Sequence, residues 1–76
     1  MNIKKLDLHG VRHADAKQQV ISFVEANWDS EDEFEVITGH STRMKEVVLT
    51  VLREYNLPYA IGNSFDAYAP KIIFWY

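Results

Sequence analysis

Two short sequence runs constrain the fold of this chain most, because each ends a predicted strand and leads directly into a helical pattern. The first run is Leu6–Gly10 (LDLHG) and the second is Thr38–Ser41 (TGHS). If the two strands are parallel neighbours, their carboxyl ends lie side by side. An aspartate, two histidines, two glycines and a helix N-terminus then converge on one edge, where open α/β sheets bind their ligands. The sequence therefore predicts one functional site at that edge.

The hydrophobic pattern predicts six elements in the order β-α-β-α-β-β. Residues 3–9 alternate, with Leu6 and Leu8 on one face, as in a half-buried strand. Helical spacing of apolar residues predicts a helix from about residue 13 to 27 and a second one after a cap at Ser41 or Thr42. Further strands are predicted at residues 34–38, 59–61 and 71–76, with a turn at 62–64 and a longer connection at 65–70.

This element order predicts an α/β fold, more closely an α+β two-layer sandwich built on a mixed four-stranded sheet. Right-handed crossovers between successive strands place both helices on one face of the sheet. The opposite face, which would carry Lys5, Asp7 and His9, is left open. We expect one domain spanning residues 1–76.

Length and composition limit the class of protein. The 76 residues are 47% hydrophobic and include no cysteine, so neither a disulfide nor a thiolate metal site is available. No apolar run approaches the ~20 residues that span a bilayer, and the start of the chain lacks a signal-peptide core. We expect a soluble, cytoplasmic protein that does not associate with membranes.

The charge distribution is more informative than the net charge of −3. Six of the eleven acidic residues fall within residues 25–35, and the rest of the chain has five acidic residues against all eight lysines and arginines. The acidic window follows the first helix, at the opposite edge from the two runs, so we expect a polarised domain that steers phosphate to one end. The alternative is a solvated acidic loop with scattered basic residues.

The first run carries the candidate catalytic pair. Asp7 and His9 are two residues apart in a strand, so they point the same way, about 6–7 Å apart at the backbone. A carboxylate beside an imidazole orients the ring and raises its basicity, as general acid–base chemistry requires. The alternative is a solvated polar pair on an exposed strand face.

The second run predicts an anion-binding turn. Gly39 allows a positive φ or close approach, and the unpaired N–H groups at the start of the helix favour an anion. Arg43 and Lys45 place positive charge where the helix dipole disfavours it, which indicates function rather than stability. The alternative is a tight turn with solvated basic residues. The candidate phosphate- or nucleic-acid-binding residues are Gly10, Arg12, Thr38, Gly39, His40, Ser41, Arg43 and Lys45.

Two other interpretations stay open. Asp7, His9 and His40 are residue types that suit zinc or manganese, so a divalent metal is conceivable, although the ligand spacing does not indicate one. Aromatic residues also crowd the last third of the chain, where they could stack on bases, fill the core or form a dimer contact. These are Tyr59, Phe65, Tyr68, Phe74, Trp75 and Tyr76.

With these motifs in place, the chain resembles the Smr (small MutS-related) domain family. The resemblance covers nearly the whole chain and rests on Leu6–Gly10, on Ala16 in the first helix and on Val36–Gly39. It implies a fold like the C-terminal domain of translation initiation factor three, nucleic-acid binding and, in many members, endonuclease or nicking activity. Carried over by position, Asp7 and His9 are functional residues of the first motif and Gly39 is the first glycine of a T-G-x-G motif. Ser41 stands in place of the second glycine.

The sequence therefore predicts a nucleic-acid-binding domain with endonuclease activity, a phosphodiester hydrolase acting on DNA or RNA. A non-catalytic nucleic-acid-binding or adaptor module with the same fold is the alternative, and a protein-interaction domain that uses the aromatic residues is a third. We expect a monomer or a weak homodimer.

Overall fold

Six secondary-structure elements occur in the predicted order, which confirms the fold class. The computed structural model describes residues 3–62 and 71–76, so the predicted connection at 65–70, with Phe65 and Tyr68, and most of the predicted turn lie outside the described residues. The elements are β1 (Ile3–Asp7), α1 (His13–Ala26), β2 (Glu33–Ile37), α2 (Thr42–Glu54), β3 (Tyr59–Gly62) and β4 (Lys71–Phe74).

The sheet has the strand order β1-β2-β4-β3. β1 and β2 are parallel neighbours, with Ile3 opposite Glu33 at one end and Asp7 opposite Ile37 at the other. The Leu8 N–H continues this pairing by donating to the Ile37 carbonyl at 2.9 Å. β4 is antiparallel to both β2 and β3. The predicted meeting of the first two strand ends is therefore confirmed.

The core lies between the two helices and one face of the sheet. Strand residues on this face alternate with residues on the open face, and the rings of Phe34 and Phe74 stack at 5.1 Å across β2 and β4. Burying one such ring contributes about 1.5–3 kcal/mol. No described element covers the other face. The buried apolar residues are Leu8, Ala16, Val20, Val24, Phe34, Val36, Met44, Val48, Val51, Leu52, Leu57, Ile72 and Phe74.

The ends of α2 follow from local sequence. Ser41 is the cap, since its hydroxyl oxygen accepts from the Met44 N–H at 3.1 Å. After the helix, Asn56 adopts a left-handed φ of 55°, and the Leu57 N–H donates to the Leu52 carbonyl at 2.9 Å. This closing motif satisfies carbonyls that the helix leaves unpaired.

Several element boundaries differ by one or two residues from the pattern-based prediction. β2 begins and ends one residue earlier than predicted, and β3 ends one residue later. β1 stops at Asp7 rather than residue 9, because Leu8 begins a turn in which its carbonyl accepts from the Val11 N–H at 3.0 Å. α1 ends at Ala26, one residue early, and β4 ends at Phe74. Neither described helix combines the length and apolar character that crossing a bilayer requires.

Candidate functional site

Two turns of similar shape follow β1 and β2 and lead into the two helices. Gly10 has a φ of +79° and Gly39 a φ of +71°, a region that favours glycine. The predicted positive φ at Gly39 is therefore confirmed. We call the carboxyl ends of β1 and β2, with residues 7–13 and 38–45, the motif edge.

The Asp7 carboxylate holds the first turn. Its Oδ1 atom accepts a hydrogen bond from the backbone N–H of His9 at 2.8 Å, the geometry in which an aspartate caps a turn two residues on. The sequence predicted that this carboxylate orients the imidazole. The hydrogen bond instead reaches the backbone of His9, so Asp7 fixes the position of the residue that carries the ring.

The His9 ring links the two motifs. A Cβ atom added at Gly39 would lie 4.0 Å from the Cδ2 atom of His9, which is ordinary van der Waals contact. His9 is exposed and Gly39 is buried, so the imidazole lies at the surface against the second turn. Residues about thirty positions apart in sequence thus form one site.

Both helices start at this edge, and both leave N–H groups available there. The first N–H groups of α2, those of Thr42 and Arg43, have no acceptor within the helix, because Ser41 accepts only from Met44 and Lys45. α1 has no side-chain cap at Arg12. The sequence-based prediction considered only the start of α2 as an anion-binding site. The arginine in the N-cap position already indicated that α1 has no side-chain cap.

The predicted phosphate-binding residues differ in exposure. Gly10, Arg12, His40 and Arg43 are exposed. Ser41 and Lys45 are half-buried. Thr38 is only 3% exposed, and its hydroxyl donates to the Gly39 carbonyl at 3.1 Å. Gly10, Arg12, His40 and Arg43 are therefore accessible to a ligand, whereas Thr38 is enclosed within the turn.

The acidic window lies at the other end of the same two strands, about 15 Å away at ~3.3 Å per residue. Glu33 begins β2, opposite Ile3. We call residues 25–33 the acidic pole. One lysine reaches it: Lys4 lies 3.8 Å from Asp32 and donates to the Asn27 side chain at 3.0 Å. The predicted separation from the two runs is confirmed for residues 25–33, whereas Glu35 lies in the middle of β2, where it pairs with Lys5 and Lys71.

The geometry of the described residues gives no support to a metal interpretation. Within residues 3–62 and 71–76, no group of three or more histidine, aspartate or glutamate side chains is arranged to hold a metal ion. Asp7, His9 and His40 therefore do not form such a set.

Comparison with known proteins identifies a family. The family model for the Smr domain matches residues 6–66, which is most of the chain. Smr domains generally bind nucleic acid, and some members are endonucleases. No curated protein and no solved structure matches the chain significantly.

Proposed function

This chain belongs to the Smr domain family, and we propose that it binds nucleic acid at the motif edge and hydrolyses a phosphodiester bond there. The observation that carries the proposal is the position of the His9 ring, whose Cδ2 atom lies 4.0 Å from where a Cβ on Gly39 would stand. This position supports a role for His9 in proton transfer near the turn that leads into α2. A phosphate bound by the N–H groups that begin α2 would lie within reach of the imidazole.

The proposed chemistry divides between two groups. The N–H groups of Thr42 and Arg43, with the Arg43 guanidinium, stabilise the charge that develops on the phosphate oxygens. His9 accepts the proton from the attacking water as the new P–O bond forms. The P–O bond to the leaving sugar oxygen then breaks. That oxygen takes up a proton from solvent water, and His9 releases to solvent the proton that it accepted. General acid–base catalysis of this kind contributes roughly 10²–10⁴-fold to a rate.

Substituting His9→Ala tests the catalytic role. We expect cleavage to fall by about 10²–10⁴-fold without loss of fold, because His9 is exposed and is not part of the core. The measurement is a nuclease assay on single-stranded RNA, nicked DNA and branched DNA, each with and without chelator. His13→Ala is the comparison within the same edge: it also removes an exposed histidine, and cleavage should fall much less than in His9→Ala. Unchanged cleavage by purified His9→Ala would refute the assignment.

A non-catalytic nucleic-acid-binding module is the second candidate, and Ser41 favours it. The Ser41 side chain caps α2 where the family motif has a glycine, so the turn has one flexible position instead of two. The hydrogen bond of Asp7 to a backbone N–H also accounts for that residue without catalysis.

Two substitutions of Asp7 separate the candidates. Asparagine keeps an oxygen that can accept from the His9 N–H, whereas alanine removes it. If Asp7 only holds the turn, Asp7→Asn keeps nucleic-acid binding and cleavage, and Asp7→Ala weakens both. If the carboxylate charge takes part in proton transfer, Asp7→Asn lowers cleavage and leaves binding intact. Binding without cleavage by the unmodified protein on every substrate would support the adaptor.

A further inference from the structure

Both tryptophans of the chain are exposed, and both lie at the acidic pole. Trp28 is 56% exposed and Trp75 is 40% exposed. Tryptophan is a large apolar residue that is usually well buried. A pair of exposed indoles at one end of a small domain therefore calls for a functional explanation.

Each indole forms a wall of a shallow cavity that also contains carboxylates. Trp28 lines a cavity of about 380 Å³ with Tyr55 and Glu25. The Trp28 and Tyr55 rings lie 5.9 Å apart at 55°, so they form two inclined walls. The Tyr55 hydroxyl donates to Glu25 Oε2 at 2.9 Å, which holds the carboxylate beside the rings.

The second cavity has a volume of about 390 Å³. It is lined by residues 30–33 together with Trp75 and Tyr76. The Tyr76 ring also contacts Trp28, with centroids 5.2 Å apart. Tyr76 is anchored because its hydroxyl donates to the Val24 carbonyl at 2.5 Å. The contact between Tyr76 of the second cavity and Trp28 of the first therefore links the two cavities.

The carboxylates around these cavities are mostly unpaired. Asp29, Glu31 and Glu33 are exposed, and none of them forms an ion pair within the described part of the chain. Such a concentration of negative charge repels a phosphate backbone and attracts cations. The combination of an indole face and a nearby carboxylate is complementary to a guanidinium or ammonium group, which binds over tryptophan more favourably than over other rings.

We propose that the acidic pole binds a basic, arginine-containing peptide segment of a partner protein, with an arginine side chain against Trp28 and a second against Trp75. Arginine fits better than lysine because its planar guanidinium can stack on the indole and donate to a carboxylate at the same time. This surface is separate from the motif edge. A nucleic acid and a basic protein segment can therefore bind the domain together.

The test is a titration of the full chain with an acetylated, amidated peptide that alternates arginine and glycine. The chain has two indole N–H groups, so nuclear magnetic resonance follows each cavity by its own signal. We expect saturable shifts of both signals. A peptide with citrulline in place of arginine keeps the shape without the charge, and it should produce no saturable shift.

Three variants locate the site. Trp28→Leu keeps an apolar side chain but removes the indole face, and it should weaken binding about two- to fivefold. Glu31→Gln should weaken it by about 1.5- to fivefold. Glu46→Gln, which changes net charge equally but lies near the start of α2, should leave the affinity unchanged. A thermal melt of each variant establishes that it is folded.

Three results would overturn the proposal: no saturable binding of the arginine peptide, equal binding of the citrulline peptide, or equal effects of Glu31→Gln and Glu46→Gln. The last result would mean attraction to net charge rather than to this surface. The outcome is independent of the nuclease proposal, because His9→Ala leaves the acidic pole unaltered.

Discussion

The two ends of the parallel β1–β2 pair are built from the same strands but are chemically opposite. The motif edge has two glycine turns, the starts of both helices and exposed basic residues, whereas the acidic pole has the helix ends, aromatic rings and carboxylates. α2 has no acid in its first turn but has Arg43 and Lys45 there, and α1 has no base in its last turn but has Glu25. Each charge placed against a helix dipole costs about 0.3–1 kcal/mol.

The comparison shows that these charges oppose the helix dipoles instead of complementing them. Asp15 in α1 and Arg53 in α2 have the favourable sign, so the chain can place charges with the dipole. The opposing charges occur where a ligand of opposite sign would compensate for them, phosphate at one end and a cationic side chain at the other.

The largest expected effect that tests this comparison is the salt dependence of nucleic-acid binding. About five phosphate contacts predict a log–log slope of roughly −3 to −5, a loss of about 10²–10³-fold between 50 and 200 mM salt. Arg43→Gln should make the slope shallower by about 0.7–0.9, since it removes one phosphate contact. Glu31→Gln should leave the slope unchanged. Equal effects of the two variants, measured by titration with an oligonucleotide, would mean that the ends are not electrostatically distinct.

The two glycines of the motif edge give the next largest effect. Both Gly10→Ala and Gly39→Ala force a left-handed φ on a residue with a Cβ, which should cost about 1–2 kcal/mol of unfolding free energy. Apart from its chain neighbours, a Cβ at Gly10 meets no atom within 4 Å, whereas one at Gly39 would touch the His9 ring. Urea denaturation should therefore show similar losses. In Gly39→Ala the new methyl group should show a nuclear Overhauser effect to the His9 ring, and its absence would contradict this proximity.

Substitutions of Ser41 should have a smaller effect on the free energy of unfolding, and they test stability and function independently. Ser41→Ala should cost about 1 kcal/mol because it removes the cap of α2, and Ser41→Gly should cost only a few tenths. Ser41→Gly also creates the second glycine of the family motif. We expect it to strengthen nucleic-acid binding or cleavage relative to Ser41→Ala once both are measured below their melting temperatures. Equal function in the two variants would show that the second flexible position is dispensable.

The smallest expected effect is a change in the stability of the fold at high pH, through Tyr55 beside the acidic pole. The hydrogen bond to Glu25 raises the pKa of Tyr55 above 10.0, with further contributions from burial and from the charges of Glu25 and Glu54. A raised pKa means that the stabilisation is complete below pH 10 and is lost as pH rises through the higher folded-state pKa. Urea denaturation between pH 9 and 11 should show a steeper loss for the unmodified chain than for Tyr55→Phe. Parallel curves would contradict the Tyr55–Glu25 bond.

Local signals predicted much of this structure, because glycines and hydrophobic periods mark element ends. Leu6–Gly10 and Thr38–Ser41 each predicted a strand, a turn and a helix start, and those predictions are confirmed. The capping hydrogen bond of Asp7 could also be predicted, because an aspartate two residues before a backbone N–H that donates to it is a turn signal. The prediction instead paired the carboxylate with the imidazole.

The aromatic cavities could not be predicted in the same way. Their walls come from residues around 25–33, from Tyr55 and from Trp75, which only the folded chain brings together. Periodicity predicted a helix to about residue 27, but α1 ends at Ala26 and the Trp28 indole that follows it is exposed. The position of β4 between β2 and β3 likewise depends on which strands pair, which local sequence does not encode.

That position of β4 has a kinetic consequence. β4 forms both of its ladders with strands that precede it in the chain, and β3 pairs, among the described strands, only with β4. β1, α1, β2 and α2 can therefore assemble early around a two-stranded ribbon, whereas β3 joins this sheet only when residues 71–74 pair with β2. Sheet completion has to wait for these sequence-distant contacts, which slow folding relative to local ones. Until β4 pairs with β2, the backbone N–H and C=O groups along that edge of β2 have no partner and can form hydrogen bonds with a strand of another chain.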